Sequence, residues 1–282
     1  MVIAMSLRPL EIMMDSDNKY IHKLGHYVAY LYQYRNMYST IVKNEFKGKF
    51  KNTIFGYFWH LLNPLTQIVI YYAIFTVIFG RDIPNYWVYI STGMFAYNFF
   101  STCSTQGCYS VVRNSGLITK MTFAREILAP AKVTSGLITI SISYSVLALL
   151  MVISGVGITK YILFVPLIVA TLSVFNVGLV YILSAITVYI RDIANAVGII
   201  IGCMMFAVPI MYVASQMNSA FLQATWAINP LYYYINCIHD SFYLGVMPDL
   251  SELAICILSA LFMLIVGLCI FKKLEHGFAE RL

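Results

Sequence analysis

The chain has 282 residues, of which 60% are hydrophobic and only 11% are charged. Soluble domains carry about 25% charged residues, so this composition excludes an ordinary soluble protein. The net charge of +6 does not indicate nucleic-acid binding, because the basic residues lie in loops where they would meet anionic lipid headgroups. We therefore expect a multi-span membrane protein without a nucleic-acid partner.

Six stretches of the chain contain no Asp, Glu, Lys or Arg. Each can hold the ~20 apolar residues that cross a bilayer as a helix. The predicted fold is an all-α integral membrane protein with six transmembrane helices. The stretches are Asn52–Gly80, Ile83–Val112, Val133–Thr159, Tyr161–Ile190, Ile193–His239 and Leu253–Phe271.

The basic residues alternate between the two sides of this predicted bundle. Sixteen of the 18 Lys and Arg residues fall in one set of alternating compartments, and only Arg81 and Lys160 fall in the other. The positive-inside rule places the larger set in the cytoplasm. We therefore expect a multi-pass protein of the cytoplasmic (inner) membrane with both termini cytoplasmic. Its parts would be a cytoplasmic N-terminus (residues 1–52), a six-span membrane domain (53–271) and a cytoplasmic tail (272–282).

The N-terminal part contains a predicted interfacial helix. The first 18 residues lack the apolar core of a cleavable signal peptide, so we expect no cleavage there. Further on, apolar residues recur at helical spacing, and polar residues fill the opposite side. This pattern predicts an amphipathic helix lying on the cytoplasmic leaflet. Its apolar residues are Tyr27, Tyr30, Leu31, Tyr34, Tyr38, Ile41 and Val42.

The stretch Ile193–His239 is too long for one span. Two full crossings would place Lys272 and Lys273 outside, against the charge pattern. We therefore predict one span, about Ala194–Val213, and then a re-entrant external segment of two short helices broken near Asn229-Pro230. An ordinary amphipathic helix in an external loop remains the alternative.

The spans hold no ionisable residue near their centres. Ion-coupled carriers and intramembrane enzymes keep such residues despite a cost of about 2.5–3.5 kcal/mol at mid-helix, so both classes are disfavoured. The chain also lacks the G-x-x-x-x-G-K-[ST] motif of P-loop ATPases and any C-x-x-C pair. We expect no catalytic residue, metal or cofactor in this chain, and transport that is driven by a partner or runs downhill.

Tyrosines lie well inside the apolar stretches. A buried hydroxyl needs a hydrogen-bond partner. These hydroxyls either join neighbouring helices or face a lumen whose aromatic walls contact sugars. Gly198 and Gly202 form a G-x-x-x-G step, which is weak evidence for a dimer contact. The tyrosines are Tyr71, Tyr72, Tyr97, Tyr144 and Tyr181.

Several short motifs follow one another in a fixed order. Basic residues, Trp59 and Asn63-Pro64 lead into the first span, and NSGLITKMTFAREILAP occupies Asn114–Pro130. In this order and topology the chain resembles the permease subunits of ABC-2 type polysaccharide or polyol-phosphate exporters, which include O-antigen, capsule and teichoic-acid transporters. The further motifs are Pro84–Phe100, Arg191-Asp192-Ile193, Pro209 with Tyr212, Asn229-Pro230 and Phe271–Leu282.

This resemblance implies the permease subunit of an ATP-driven exporter that moves a lipid-linked polysaccharide across the cytoplasmic membrane. It implies a homodimer joined to two separately encoded ATPase subunits, which bind ATP and Mg²⁺. It also implies that short cytoplasmic segments contact those ATPases. On this chain the coupling residues would be Tyr34, Arg35, Lys120, Arg125, Glu126, Arg191 and Asp192.

The resemblance also points to residues that would meet the substrate. Ammonium groups at Lys47, Lys49 and Lys51, just before the first span, would recruit a lipid pyrophosphate, although generic lipid contact explains them equally well. A channel would lie at the dimer axis, lined by spans one and five and part of span two. Its wall and gate residues would be Tyr71, Tyr72, Tyr97, Phe99, Phe206, Tyr212, Asn229, Pro230, Tyr232, Tyr233 and Tyr234.

Three other functions remain open from the sequence. An ABC-2 permease for a small hydrophobic drug or lipid would share the topology, but the basic run and Asn114–Pro130 favour the glycan branch. A membrane transferase would need an acidic or histidine cluster at a membrane face, where only His239-Asp240 is available. A passive channel or scaffold would function without an ATPase.

Overall fold

The computed structural model describes residues 32–48, 55–74, 84–121, 123–214 and 219–282. All regular structure in these ranges is helical, as predicted. Short 3₁₀ turns precede or follow several of the α-helices. We number the α-helices in chain order: α1 Arg35–Gly48, α2 Trp59–Tyr72, α3 Tyr86–Gly107, α4 Ser115–Ile118, α5 Leu128–Ile153, α6 Phe164–Tyr189, α7 Ile193–Ala207, α8 Ala220–Ile228, α9 Pro230–His239, α10 Leu250–Leu274 and α11 Phe278–Arg281.

Three helical segments of the described chain are long and apolar enough to cross a membrane. They are Arg125–Ile153, Lys160–Tyr189 and Leu250–Gly277, which contain α5, α6 and α10. Helix α7 is apolar but shorter, and α3 has 22 residues with a more polar composition. These helices fit the predicted membrane protein, while the count of six spans stays a prediction.

Helices α6 and α10 cross with their backbones in contact. Gly267 faces the backbone of Gly178, which in turn faces the backbone of Met263. A Cβ atom at either glycine would overlap backbone atoms of the other helix, so neither position has room for a larger residue. Small residues allow such close approach between membrane helices.

Helix α1 packs against α5. Its apolar residues Ile41 and Val42 are buried, and the Tyr38 hydroxyl lies 2.6 Å from the Thr134 hydroxyl on α5. The amphipathic face predicted for this segment is therefore covered by protein. Of the residues predicted for that face, Tyr27, Tyr30 and Leu31 lie outside the described residues.

Helix α7 ends at Ala207, so the prediction of one helix reaching Val213 is wrong. Pro209 has no backbone N–H, and a residue that precedes proline avoids helical geometry. Val208 accordingly adopts an extended conformation, with φ −111° and ψ 139°. The chain therefore leaves the helix six residues earlier than its apolar run suggests.

Helices α8 and α9 meet at Asn229, where the sequence predicts a break. The Asn229 side chain accepts a hydrogen bond from the Leu231 N–H at 3.1 Å and so caps α9, while Pro230 occupies its first turn. This turn accounts for the two short helices. Their depth in the membrane and their external position stay predictions.

Candidate functional site

One end of the bundle gathers the first turn of α5 and the last turns of α3, α6 and α10; we call it the basic end. The buried carboxylate of Glu126 pairs there with Lys272. The Arg125 guanidinium donates to the Glu275 carbonyl at 2.6 Å, and the Tyr181 hydroxyl donates to the Glu126 carbonyl at 2.9 Å. Arg125 and Glu126 therefore bind α6 and the end of α10.

The other predicted coupling residues are more accessible. Arg35, Lys120, Arg191 and Asp192 are exposed, and Tyr34 is half-buried. The predicted coupling set thus divides into an exposed group and the pair that contacts the bundle. Contact with an ATPase stays a prediction for both groups.

The lysines predicted to recruit a pyrophosphate are only partly described. Lys47 lies in the last turn of α1 and is exposed. Lys49 and Lys51 lie outside the described residues. The recruitment site therefore stays a prediction.

A buried lysine ties three helices together near the basic end. Lys132 on α5, with 4% of its surface exposed, contacts Glu45 of α1 and the side-chain oxygen of Gln106 on α3, each at 2.7 Å. A buried ammonium group is tolerated when it is paired and hydrogen-bonded in this way. The sequence analysis missed this contact, although a lysine at the edge of an apolar span could have indicated it.

A cavity of about 450 Å³ lies between α2, α3 and α5. Each helix contributes a stripe of polar or small residues at helical spacing, and the three stripes face one another. These stripes were not predicted from the sequence, because uncharged polar residues at helical spacing do not stand out in an apolar span. The lining residues are His60, Asn63, Pro64, Gln67, Phe95, Asn98, Phe99, Thr102, Gln106, Gly136, Thr139, Ile140 and Ser143.

The predicted channel-wall residues are distributed over several faces of the subunit. Phe99 lines the cavity, and Tyr71 is half-buried. Tyr72 and Phe206 are 48% and 71% exposed on α2 and α7. A single subunit does not bring them to one wall, so a channel at a dimer axis stays a prediction.

Three of the tyrosines within the spans join neighbouring helices. The Tyr97 hydroxyl donates to the Ile201 carbonyl on α7. The Tyr144 hydroxyl donates to the Thr92 carbonyl at 2.9 Å, and Tyr181 donates to Glu126 as described above. Hydrogen bonding between elements, one of the two explanations left open by the sequence, accounts for these three side chains.

The end of α7 opposite the basic end is held by aromatic side chains. The Tyr89 hydroxyl of α3 lies 3.1 Å from the Pro209 carbonyl and 2.9 Å from the Tyr212 carbonyl. Tyr86 donates to the Met211 carbonyl, and the Trp226 indole donates to the Ala207 carbonyl at 3.0 Å. The Trp226 bond satisfies a carbonyl group that the helix end leaves without an intrahelical partner, and the tyrosine bonds fix the turn that follows.

One tyrosine predicted for the channel wall and one predicted for the gate stack on the same tryptophan. Tyr232 and Tyr212 lie with ring centroids 5.5 Å and 6.2 Å from that of Trp226. Tyr233 packs edge-on against Tyr232, whereas Tyr234 is buried and donates to the Cys256 carbonyl on α10 at 2.6 Å. Trp226, which the sequence analysis did not select, is the centre of this stack.

The histidine considered for a membrane enzyme is part of the packing. His239 is buried, and its ring lies 3.9 Å from the Tyr89 ring, centroid to centroid. Its Nε2 atom is 3.1 Å from the Tyr89 carbonyl. Because the imidazole is enclosed by α3, this geometry does not favour a catalytic role for His239-Asp240.

Known proteins resemble the chain along most of its length. An "O-antigen export system permease protein RfbA" of Klebsiella pneumoniae is 29% identical over 261 residues, covering 92% of this chain and 98% of that protein. A protein of the same name from Myxococcus xanthus is 27% identical over 254 residues, covering 90% and 98%. A second Klebsiella pneumoniae protein of that name is 28% identical over 261 residues, covering 92% and 98%.

The family model described as "ABC-2 type transporter" matches residues 37–243. The match includes the buried Glu45–Lys132 pair, the polar cavity and the aromatic stack around Trp226. It covers well over half of the chain. This chain therefore belongs to the ABC-2 type transporter family.

Proposed function

We propose that this chain is the transmembrane permease subunit of an ATP-driven exporter that moves a lipid-linked polysaccharide of the O-antigen, capsule or teichoic-acid type across the cytoplasmic membrane. The observation that carries the proposal is the similarity to O-antigen export permeases over at least 90% of this chain and 98% of theirs. The family membership agrees with it. Two separate ATPase subunits would supply the energy, and a second copy of the chain would complete the channel.

The basic end is the part of the molecule suited to receive force from a soluble partner. Lys120, Arg191 and Asp192 present exposed charges there. Within the bundle, the Glu126–Lys272 pair joins the segment before α5 to the end of α10. A push on the exposed residues would thus move helices rather than a loose loop. We place this end, together with both termini, in the cytoplasm.

The opposite end supports the proposed exit for the polymer. Tyr212, Trp226 and Tyr232 form a stack of aromatic rings beside the turn between α8 and α9. Aromatic faces pack against apolar C–H groups while their polar edges exchange hydrogen bonds. Such a surface suits a sliding sugar chain, and Lys47, Lys49 and Lys51 would hold its lipid pyrophosphate at the entrance.

Co-purification and export assays in the producing cells test this function. We expect an ATPase encoded beside this protein to co-purify with it. Loss of that ATPase should trap lipid-linked polymer on the cytoplasmic leaflet, because no ion-coupled site in the described spans can replace it. Export by the permease reconstituted without nucleotide would contradict the proposal.

The proposed recruitment site needs its own variant. We expect Lys47→Gln, Lys49→Gln and Lys51→Gln together to weaken binding of the lipid-linked substrate, because charge-assisted contacts to the pyrophosphate are lost. Lys43→Gln on the exposed side of α1 is the matched control. Unchanged export in the triple variant would show that these lysines meet only ordinary lipid.

A further inference from the structure

We propose that the cavity between α2, α3 and α5 is a binding site for one uncharged, hydroxyl-rich sugar unit, formed within each subunit. This inference rests on the proposed polysaccharide export and names a site for its substrate. None of the predicted gate residues lies in the cavity, and of the predicted channel wall only Phe99 does. The site is therefore separate from a channel at the dimer axis.

The chemistry of the lining carries the proposal. Eight lining residues have polar side chains with amide, hydroxyl or imidazole groups, and none is Asp, Glu, Lys or Arg. Amides and hydroxyls offer both donors and acceptors, as the hydroxyl groups of a sugar do. A strongly charged ligand would find no opposite charge on these walls, so the lining selects a neutral one.

The arrangement of the lining side chains is also typical of a ligand-binding site and not of an accidental gap in the packing. Asn98 donates to the Gln67 oxygen at 3.2 Å, which holds two amides in place across the gap between α3 and α2. Phe95 and Phe99 supply an aromatic wall suited to sugar C–H groups. The volume of about 450 Å³ lies within the range of about 300–1,000 Å³ found for small-molecule sites.

Helix α1 contacts the lining of the cavity at two points, one direct and one through Lys132. Phe46 of α1 stacks on His60 of the lining, with ring centroids 4.1 Å apart. Glu45 of α1 reaches Gln106 of the lining through Lys132. Both contacts couple the position of α1 to the shape of the cavity. A movement of α1 would therefore change the walls that meet a bound sugar unit.

Polar side chains inside a membrane helix are expensive, and they are kept for packing or for function. On α5, helical spacing places hydroxyl side chains on two different sides of the helix. Thr139 and Ser143 face the cavity, whereas Ser141 and Ser145 are exposed on the outer side of the same helix. All four hydroxyls donate to carbonyl groups of their own helix, at 2.8–3.2 Å, so Ser141 and Ser145, which do not line this cavity, provide controls.

Binding is tested on the complete permease–ATPase complex in lipid nanodiscs. The probe is a set of neutral oligosaccharides released from the envelope glycan of the same cells, followed by saturation-transfer NMR. We expect a signal from the wild type and about a tenfold loss of affinity in the double variant Asn98→Leu, Thr102→Val, as for the loss of one to two hydrogen bonds. The double variant Ser141→Ala, Ser145→Ala should bind like the wild type.

An export assay on the same variants completes the test. We expect the cavity variant to assemble with the ATPase and to export less polymer. A wild-type signal no stronger than that of empty nanodiscs, or equal binding by the cavity variant, would overturn the sugar site even if export fell. If the wild-type complex exported no glycan at all, the proposed function itself would fail.

Discussion

Single residues decide how closely the helices of this bundle approach one another. Gly178 and Gly267 let α6 and α10 touch through their backbones, and neither position has room for a Cβ atom. Gly198 and Gly202 on α7 are also glycines in a helix, but a Cβ atom there would meet nothing within 4 Å. The glycines of α7 therefore have room for a side chain, and those of α6 and α10 do not.

The first prediction concerns these glycines. We expect Gly267→Ala to lower the melting temperature of the purified protein, because overpacking costs about 1–3 kcal/mol and the overlapping atoms belong to a backbone that cannot rotate away. Gly116→Ala on α4, where a Cβ atom would also meet nothing within 4 Å, should be neutral or slightly stabilising, since alanine favours helix. Thermal unfolding in the same detergent compares the two variants. Equal melting temperatures would contradict the close crossing.

The second prediction concerns Asp240, which follows α9 outside the spans. Burial, together with the nearby carboxylates of Glu252 and Asp249, raises the pKa of Asp240 to about 6. The folded state therefore favours the protonated acid and loses stability as the pH rises through 6. We expect Asp240→Asn to raise the melting temperature at pH 7.5, with a gain that shrinks as the pH falls towards 4.

Asp249 gives the control of opposite sign. The Ser251 N–H and hydroxyl lower the pKa of Asp249, because both donate to its carboxylate. Its contribution to stability is present above the ordinary pKa and is lost at acid pH. Asp249→Asn should therefore destabilise the protein at pH 7.5 and still do so at pH 4, with the effect lost only as the pH falls below the ordinary pKa of aspartate. If both variants followed the same pH trend, burial would not explain Asp240.

At the scale of elements, α1 is held to the bundle partly by a buried ion pair. Its charged residue Glu45 reaches Lys132 inside the bundle, and its neighbour Phe46 stacks on His60. The rest of its docking comes from Ile41, Val42 and the Tyr38 hydroxyl. Removing the charge of Lys132 should therefore weaken the contact between α1 and the bundle.

The third prediction tests that release. We expect Lys132→Met to loosen α1, because it leaves the Glu45 carboxylate unpaired at a cost of about 3 kcal/mol for a buried pair. Hydrogen exchange should accelerate across Arg35–Gly48. Adding Glu45→Leu should restore protection, and Lys43→Met on the exposed side of α1 should change nothing. Unaltered exchange in Lys132→Met would mean that the pair does not hold α1.

At the scale of the whole molecule, α7 leaves one side of the subunit uncovered. Ile199 and Phe206 are 69% and 71% exposed, and Gly198 and Gly202 face open space. Apolar exposure of this kind suits either lipid or another protein. Together with the G-x-x-x-G step, it makes α7 our choice for the contact with a second copy.

The fourth prediction distinguishes contact of α7 with lipid from contact with a second copy of the chain. Cys203 on α7 and Cys269 on α10 are both exposed. We expect a short bismaleimide to cross-link two chains in membranes, with the product lost in Cys203→Ser and kept in Cys269→Ser. A dimer band that persisted in Cys203→Ser would place the second copy elsewhere.

The sequence predicted the helical class and the break at Asn229 because both depend on local chemistry. Charge-free stretches mark membrane helices, and proline after asparagine starts a new helix. The end of α7 was predicted too late because the apolar run continues past Pro209. The cavity was missed because its parts are spread over α2, α3 and α5, and only packing shows that their polar stripes face one another.

The hydrogen bonds that hold the end of α7 determine which residues of the following turn can be substituted. Tyr86, Tyr89 and Trp226 donate to main-chain oxygens between Ala207 and Tyr212. Every amino acid supplies such an oxygen, so the recognition ignores the side chains of the turn. The side chains of Met211 and its neighbours can therefore be exchanged while the three donors keep their bonds to this turn.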